Sequence, residues 1–203
     1  GPEGAEGVGW MQLVERAVGS IGGMDAFVAK GSRVVVKPNI GWDRSPEQAA
    51  NTHPLVVKAV VDLALKAGAS QVKVFDRPCN DARLCYRNSG IRDAVLGLSN
   101  PRVSCDYLDA RTLVTVGIPE GKSLRRWAFF REVMDADTYI NVPIAKDHGL
   151  AGLTLGVKNV MGVIGGNRGR IHWNMGQRLA DLNTVVRPEL TIIDATRILT
   201  ANG

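Results

Sequence analysis

The spacing of apolar and polar positions changes period several times along the chain, and each change predicts a new element. Trp10, Leu13, Val14, Ala17, Val18 and Ile21 recur at helical spacing, and Gly22-Gly23 supplies a stop. Gly31-Ser32 turns into Arg33-Val-Val-Val-Lys37-Pro-Asn39, an unbroken β-branched run of the kind that parallel sheets cover on both faces. Helical spacing returns after Asn51-Thr52, with Pro54 in the first turn, Lys58, Asp62 and Lys66 four apart on a solvated face, and Gly68 past the end. Gln71 to Phe75 reads as a strand, Ala82 to Leu98 as a helix interrupted near Ser89-Gly90, and Arg102 to Leu108 as a short strand. From Asp109 to Trp127 the pattern weakens into short extended pieces, which predicts a small antiparallel excursion. A helix near Phe129 to Ala136 and an apolar strand from Thr138 to Ile144 restore the regularity. Gly149 to Gly166 reads as a buried helix and a glycine loop, His172 to Val186 as a helix stopped before Pro188, and Glu189 to Asp194 as a last strand. Strands alternating with helices predict one α/β domain over residues 1–203: an open, mostly parallel, doubly wound sheet with helices on both faces.

Composition narrows the function classes. A chain of 203 residues, 45% hydrophobic and 22% charged, has material for a sizeable core. No apolar stretch approaches the ~18 to 20 residues of a membrane span. Lys and Arg number 25 against 20 Asp and Glu, and the resulting +5 suits an anionic small molecule. Nucleic acid is disfavoured, because aromatics make up only 5% and form no basic-aromatic stripe. Three cysteines cannot build a disulfide scaffold at this length or a four-cysteine iron-sulfur cluster. The opening Gly1-Pro2 reads as a processed or engineered start, so the expected location is either cytoplasmic or beyond a membrane by way of an export leader absent from this chain.

The chemistry-bearing residues fall at strand ends, where open parallel sheets bind ligands. The first strand ends in Lys37-Pro38-Asn39, the second in Asp76-Arg77-Pro78, a later one in Pro143 followed by Lys146-Asp147-His148, and the last in Asp194 followed by Arg197. One polar exit is ordinary; four of similar chemistry predict a site. Lys158 and Asn159 sit in an apolar, glycine-rich run, where a buried lysine has a lowered pKa and becomes a base or nucleophile; the alternative is a lysine that snorkels to water. Gly165-Gly-Asn-Arg168-Gly-Arg170 offers backbone N–H groups beside two guanidinium groups, a candidate anion cradle that lacks the phosphate-loop signature. His148, His172, Cys79 and Cys85 are candidate ligands for a transition metal, although no standard metal-binding spacing occurs. Cys79, between Arg77 and Arg83, is either an activated thiol or an inert one.

Val34-Val-Val-Lys-Pro-Asn-Ile40, Val74-Phe-Asp-Arg-Pro-Cys-Asn80 with Cys85-Tyr-Arg-Asn-Ser-Gly90, Ile140-Asn-Val-Pro-Ile-Ala-Lys-Asp-His148, Leu155-Gly-Val-Lys-Asn-Val-Met-Gly162 and Leu190-Thr-Ile-Ile-Asp194 together resemble the family called domain of unknown function 362, over about residues 31–203. That bacterial and archaeal family has no settled reaction. The resemblance implies an association with iron-sulfur or metal chemistry, through a ferredoxin-type cysteine cluster or a twin-arginine leader that many members carry and this chain does not show. It also implies a usual C-terminal portion beyond Gly203, so the expectation is an open sheet edge, or one completed by a partner chain or a second copy. A looser similarity, Gly156-Val-Lys158 with Gly162 and His172, is to nickel-pincer lactate racemases, and implies Lys158 as a cofactor anchor and His172 as a metal ligand.

Two readings follow. In the first, Lys37, Asn39, Asp76, Arg77, Asn159, Arg168, Arg170 and Asp194 bind an anionic small molecule beside a metal or redox cofactor, and Lys158, His148 and Lys146 carry the chemistry. In the second, the chain is a non-catalytic metal or iron-sulfur module in which Cys79 and Cys85 supply half of a site shared with a partner chain.

Overall fold

The structure, a computed structural model, describes residues 6–201. Along the chain, α1 (Glu6–Gly19) precedes β1 (Arg33–Pro38), α2 (Pro54–Lys66) leads to β2 (Gln71–Val74), and α3 (Ala82–Asn88) and α4 (Ile91–Leu96) lead to β3 (Val103–Cys105). A hairpin follows, β4 (Leu113–Gly117) and β5 (Arg126–Phe130), then α5 (Arg131–Met134), β6 (Thr138–Val142), β7 (Ile144–His148) and β8 (Gly152–Thr154). The remainder is α6 (Gly156–Asn159), α7 (Met175–Asn183), β9 (Leu190–Thr191) and β10 (Asp194–Leu199).

The fold is α/β. Five parallel strands form the main sheet in the order β3-β2-β1-β6-β9, and the order reverses at β1, where ligand crevices of such sheets open. The β-branched run of β1 is buried from Val34 to Pro38, as expected of a central strand. Period-2 alternation divides it between two cores. Val34 and Val36 join Val72, Val74, Ile140 and Val142 under α1, α2, α3 and α4, whereas Val35 joins Phe75 and Tyr139 under the β4-β5 hairpin, residues 160–164 and α7. Helices therefore cover both faces, and the hairpin pairs Leu113 with Phe130 through Gly117 with Arg126 as the antiparallel excursion.

A proline, a glycine and a left-handed asparagine account for several of the places where elements differ from their sequence-based extents. Pro143 cannot donate to a ladder, so the expected strand from Thr138 to Ile144 divides there. β6 stays in the main sheet, while β7 pairs with β10 in parallel and with β8 in antiparallel fashion to make a second sheet in the order β10-β7-β8. The expected strand from Glu189 to Asp194 divides likewise: β9 lies beside β6, and Asp194 opens β10 beside Ile144. The buried helix expected across Gly149 to Gly166 is not formed. Gly152, at φ +68, turns the chain into the hairpin of β7 and β8, and only the four residues of α6 and a 3-10 turn over Val160–Val163 are helical. The helix expected from His172 starts at Met175, because Asn174 takes a left-handed φ of 58; His172 ends a 3-10 turn instead. Similarly, Phe129 and Phe130 extend β5 and leave α5 with four residues.

Candidate functional site

The strand alternation that buries Val35 places Lys37 on the same face two residues on, at the carboxyl end of β1. Register sets Lys37 beside Asn141 of β6, and Tyr139 beside Val35. Asp76 follows β2 at the adjoining exit. Lys37 is 1% exposed and its Nζ lies 2.9 Å from Asp76 Oδ1. It also donates to Asn159 Oδ1 at 2.7 Å. The other Asp76 oxygen accepts from the Ile40 N–H at 2.7 Å, and Oδ1 accepts from Arg77 N–H at 2.8 Å. Asn159, brought over the sheet by α6, donates to Asn141 Oδ1 at 2.8 Å and accepts from Asn39 Nδ2 at 3.2 Å. Asn39 Oδ1 accepts from Lys146 Nζ at 3.2 Å, and Lys146 also donates to the Ala50 carbonyl at 2.6 Å. One connected network thus joins β1, β2, β6, β7 and α6, which is how buried charge is kept satisfied.

Gly162 is what lets the lid over this network close. A Cβ there would stand 1.8 Å from Asp76 Oδ1 and 2.4 Å from Lys37 Cε, so no other residue fits without displacing the ion pair. The Gly162 carbonyl accepts from Arg77 N–H at 3.1 Å and ties the same segment to the β2 exit.

Above the network is a cleft of about 330 Å³, within the range of small-molecule sites. Lys37, Asn39, Asp76, Arg77, Cys79, Lys146, His148, Lys158, Asn159, Arg168 and His172 all reach its lining. Five of these side chains are basic, whereas Asp76 is the one carboxylate among the lining residues. Burial lowers the pKa of Lys146 to about 8, aided by the charges of Lys158 and Lys37 and opposed by Asp76. Burial also lowers Lys37 against the attraction of Asp76. Lys158 is half-buried and likewise lowered by burial, with Arg168 adding like-charge repulsion. Among the described residues no hydrogen-bond or ion-pair partner holds the Lys158 amine, whereas Lys37 and Lys146 are both held.

The two histidines face each other with nearly parallel rings, centroids 6.0 Å apart and planes at 11°. His148 Nδ1 accepts from the Leu150 and Ala151 N–H groups, both at 3.1 Å, so its neutral ring carries the proton on Nε2. His172 Nδ1 lies 3.1 Å from the Gly169 carbonyl, which can only accept, so its neutral ring presents a bare Nε2. Burial, together with the charges of Lys158, His172 and Lys146, lowers the pKa of His148. The pair therefore offers one donor and one acceptor.

Other candidates fall elsewhere. Cys85 is fully buried on the inward face of α3 within the apolar core, and burial raises its pKa to about 11. Of the two cysteines expected to supply half of a shared metal site, Cys79 is exposed at the cleft, whereas Cys85 lies in that core with Tyr86, Ile91 and Val95. Asp194 is buried outside the cleft lining, where it accepts from His53 N–H at 2.8 Å and Thr196 Oγ1 at 2.6 Å and fixes the start of β10. Arg170 also lies outside that lining. Arg77 donates to the Ile164 and Gly166 carbonyls at 3.1 and 3.2 Å, and Arg168 donates to the Arg77 and Pro78 carbonyls and to Cys79 Sγ at 3.4 Å. These guanidinium groups lace the glycine loop to the β2 exit while leaving their charge at the cleft. Sequence reasoning missed Asn141, Gly162 and Trp42. Asn141 had a signal, a polar residue inside the apolar run of β6; Gly162 had its place in the glycine-rich motif but no sign of its contact with the Lys37–Asp76 pair, and Trp42 had none. Trp42 lies beneath Lys146, whose Nζ is 5.8 Å from the ring centroid, a cation–π contact.

Residues 34–203 match the family model described as domain of unknown function, DUF362. The chain belongs to the DUF362 family. A thylakoid-associated protein of Synechocystis sp. is 30% identical over 192 residues, which cover 90% of this chain and 57% of that protein. The crystal structure of a Thermotoga maritima protein superposes with a TM-score of 0.58 at 13% identity over 90% of this chain and 50% of that one, a likeness of fold. The lactate racemase apoprotein of Thermoanaerobacterium thermosaccharolyticum gives a TM-score of 0.49 at 16% identity, over 76% of this chain and 36% of that chain. The DUF362 chain thus spans 57% of the length of the Synechocystis relative and half or less of the two solved structures. No helix among its described residues is long and apolar enough to cross a membrane.

Proposed function

We propose that the cleft binds an anionic small molecule and transfers a proton to or from it. The observation that carries this reading is the charge imbalance: five basic side chains line the cleft, and its one carboxylate, Asp76, is already ion-paired with Lys37. Lys158 supplies a cation with no partner among the described residues, and Lys146 has a third N–H beyond its bonds to Asn39 and Ala50. Together they hold the anionic group. The bare Nε2 of His172 takes a proton from the ligand and can return it, while His148 Nε2–H, part of a neutral ring, donates a hydrogen bond that orients the reacting group.

Of the side chains expected as metal ligands, His148, His172 and Cys79 line the cleft and Cys85 does not. Among the described residues no three His, Cys, Asp or Glu side chains are grouped to hold a metal ion, and two imidazoles fall short of the three protein ligands typical of a catalytic zinc site. No step of the proposed chemistry is therefore routed through a metal.

Calorimetric titration of the protein with short carboxylates and phosphate esters, each beside its neutral amide or alcohol, tests the reading. Anions should bind and their neutral counterparts should not, and Lys158→Met should weaken the anions by about tenfold or more. Equal affinity for charged and neutral partners, or indifference to Lys158→Met, would sink it.

A further inference from the structure

A second cavity, of about 570 Å³, adjoins the cleft, and its lining has the opposite character. Leu153 of β8, Leu155, Val157 of α6, Met175 and Leu179 of α7 and Ile193 form its apolar walls. Lys158 is the one charged residue in that lining, and Lys158 and Leu155 line both cavities. The groove is open to water: Leu153 and Val157 are each 54% exposed and Ile193 is 46% exposed, so the apolar surface is unburied and clustered.

We infer that the anion bound by this protein carries an apolar tail, which lies in the groove while its head occupies the cationic cleft. The inference rests on the anion-binding reading and deepens it to a ligand class, single amphiphilic anions such as alkyl phosphates or acyl carboxylates. Charge and continuity select that occupant. A ligand passing from cleft to groove runs past Lys158, whose amine no described residue holds, so its charge lies where head and tail would join. Beyond Lys158 nothing in the groove lining repels or attracts charge, which suits methylene groups and disfavours a second anionic end. Both asparagine amides in the groove lining are engaged: Asn141 donates to the Gly156 carbonyl at 2.9 Å and Asn183 to the Leu179 carbonyl at 2.8 Å. They make no demand on a tail for hydrogen bonds.

The experiment compares methyl phosphate with octyl phosphate, the latter below its micelle-forming concentration, by calorimetry on the full chain. Each buried methylene adds roughly fourfold in affinity, so octyl phosphate should bind at least about tenfold tighter than methyl phosphate even with most of the chain half-covered. The double variant Leu153→Gln, Ile193→Gln should bring the ratio of the two affinities down towards one, and both substitutions are at exposed positions that do not threaten folding. Equal affinity for the two phosphates in the unmodified protein overturns the tail and leaves the anion reading standing; failure of both to bind overturns both. A high ratio indifferent to the double variant puts the tail elsewhere and overturns this placement. Absence of the gain together with self-association that the double variant abolishes, seen by sedimentation, gives the groove to a second copy of the chain. Binding to anionic vesicles without binding to monomeric octyl phosphate gives it to a membrane surface, and either outcome overturns the inference.

Discussion

Lys37 and Asp76 show how a strand exit becomes chemistry. Each is buried, each is held by a charge-assisted contact, and the pair is closed over by a glycine that admits no side chain. A buried pair of this kind adds little over an apolar replacement, but removing one partner leaves the other unpaired at a cost of about 3 to 5 kcal/mol. Lys37→Met and Asp76→Asn should each destabilise by roughly that amount in urea unfolding, and the double variant should cost about 1 to 3 kcal/mol less than the sum. Additive losses would show that the two side chains act independently. Much of this was legible at the residue scale. Lysine, asparagine and aspartate at consecutive strand ends announced a site, and Lys146, His148 and Lys158 reach the same cleft. The count and spacing of the cysteines could not show that Cys85 and Tyr86 are the buried positions of α3.

Elements were legible where periodicity is local and obscure where tertiary pairing decides. β1, α2 and β2 follow from their spacing alone, and the Asp62–Lys66 pair at 2.9 Å is the i,i+4 contact expected of the solvated face of α2. β7 and β8, by contrast, exist because Pro143 ejects the chain from the main sheet and β10 returns beside it, pairings that no window of sequence contains. Asp181 of α7 is another such long-range device. It is 1% exposed and accepts from the N–H groups of Lys122, Ser123 and Leu124 at 2.9, 2.6 and 2.7 Å, pinning the β4-β5 loop to the helix. Burial pushes its pKa up, but these bonds and one from Gln177 outweigh that and hold it down at about 2. A carboxyl with a depressed native pKa contributes its stability above its unfolded value near 4, and that contribution is lost as pH falls towards 2. The loss should be on the order of 2 kcal/mol, and in Asp181→Asn the dependence of the urea midpoint between pH 7 and pH 3 should flatten. An unchanged slope in that variant would assign the acid sensitivity to other carboxylates.

At the scale of the molecule, the +5 of the chain is not spread evenly, because Lys37, Arg77, Lys146, Lys158 and Arg168 converge on one cleft. Composition could give the sign of that charge, while the convergence depends on strand order and on a glycine loop laced back over the β2 exit. The same convergence makes anion binding depend on pH in a direction that can be worked out. Burial lowers Lys146 to about 8, aided by the charges of Lys158 and Lys37, and burial lowers Lys158, aided by Arg168, so both give up their protons more readily than a surface lysine. A bound anion favours the protonated amines and is released as they deprotonate. Sulfate, whose charge is constant through this range, separates the protein's titration from that of the ligand. Its affinity should be highest near pH 7 and should fall several-fold between pH 7 and pH 9, the decline centred near pH 8. Lys146→Met should bind sulfate more weakly at pH 7 and lose the part of the decline centred there, retaining what Lys158 contributes. A sulfate affinity flat from pH 7 to pH 9, measured by calorimetry at constant ionic strength, would mean that neither amine meets the anion.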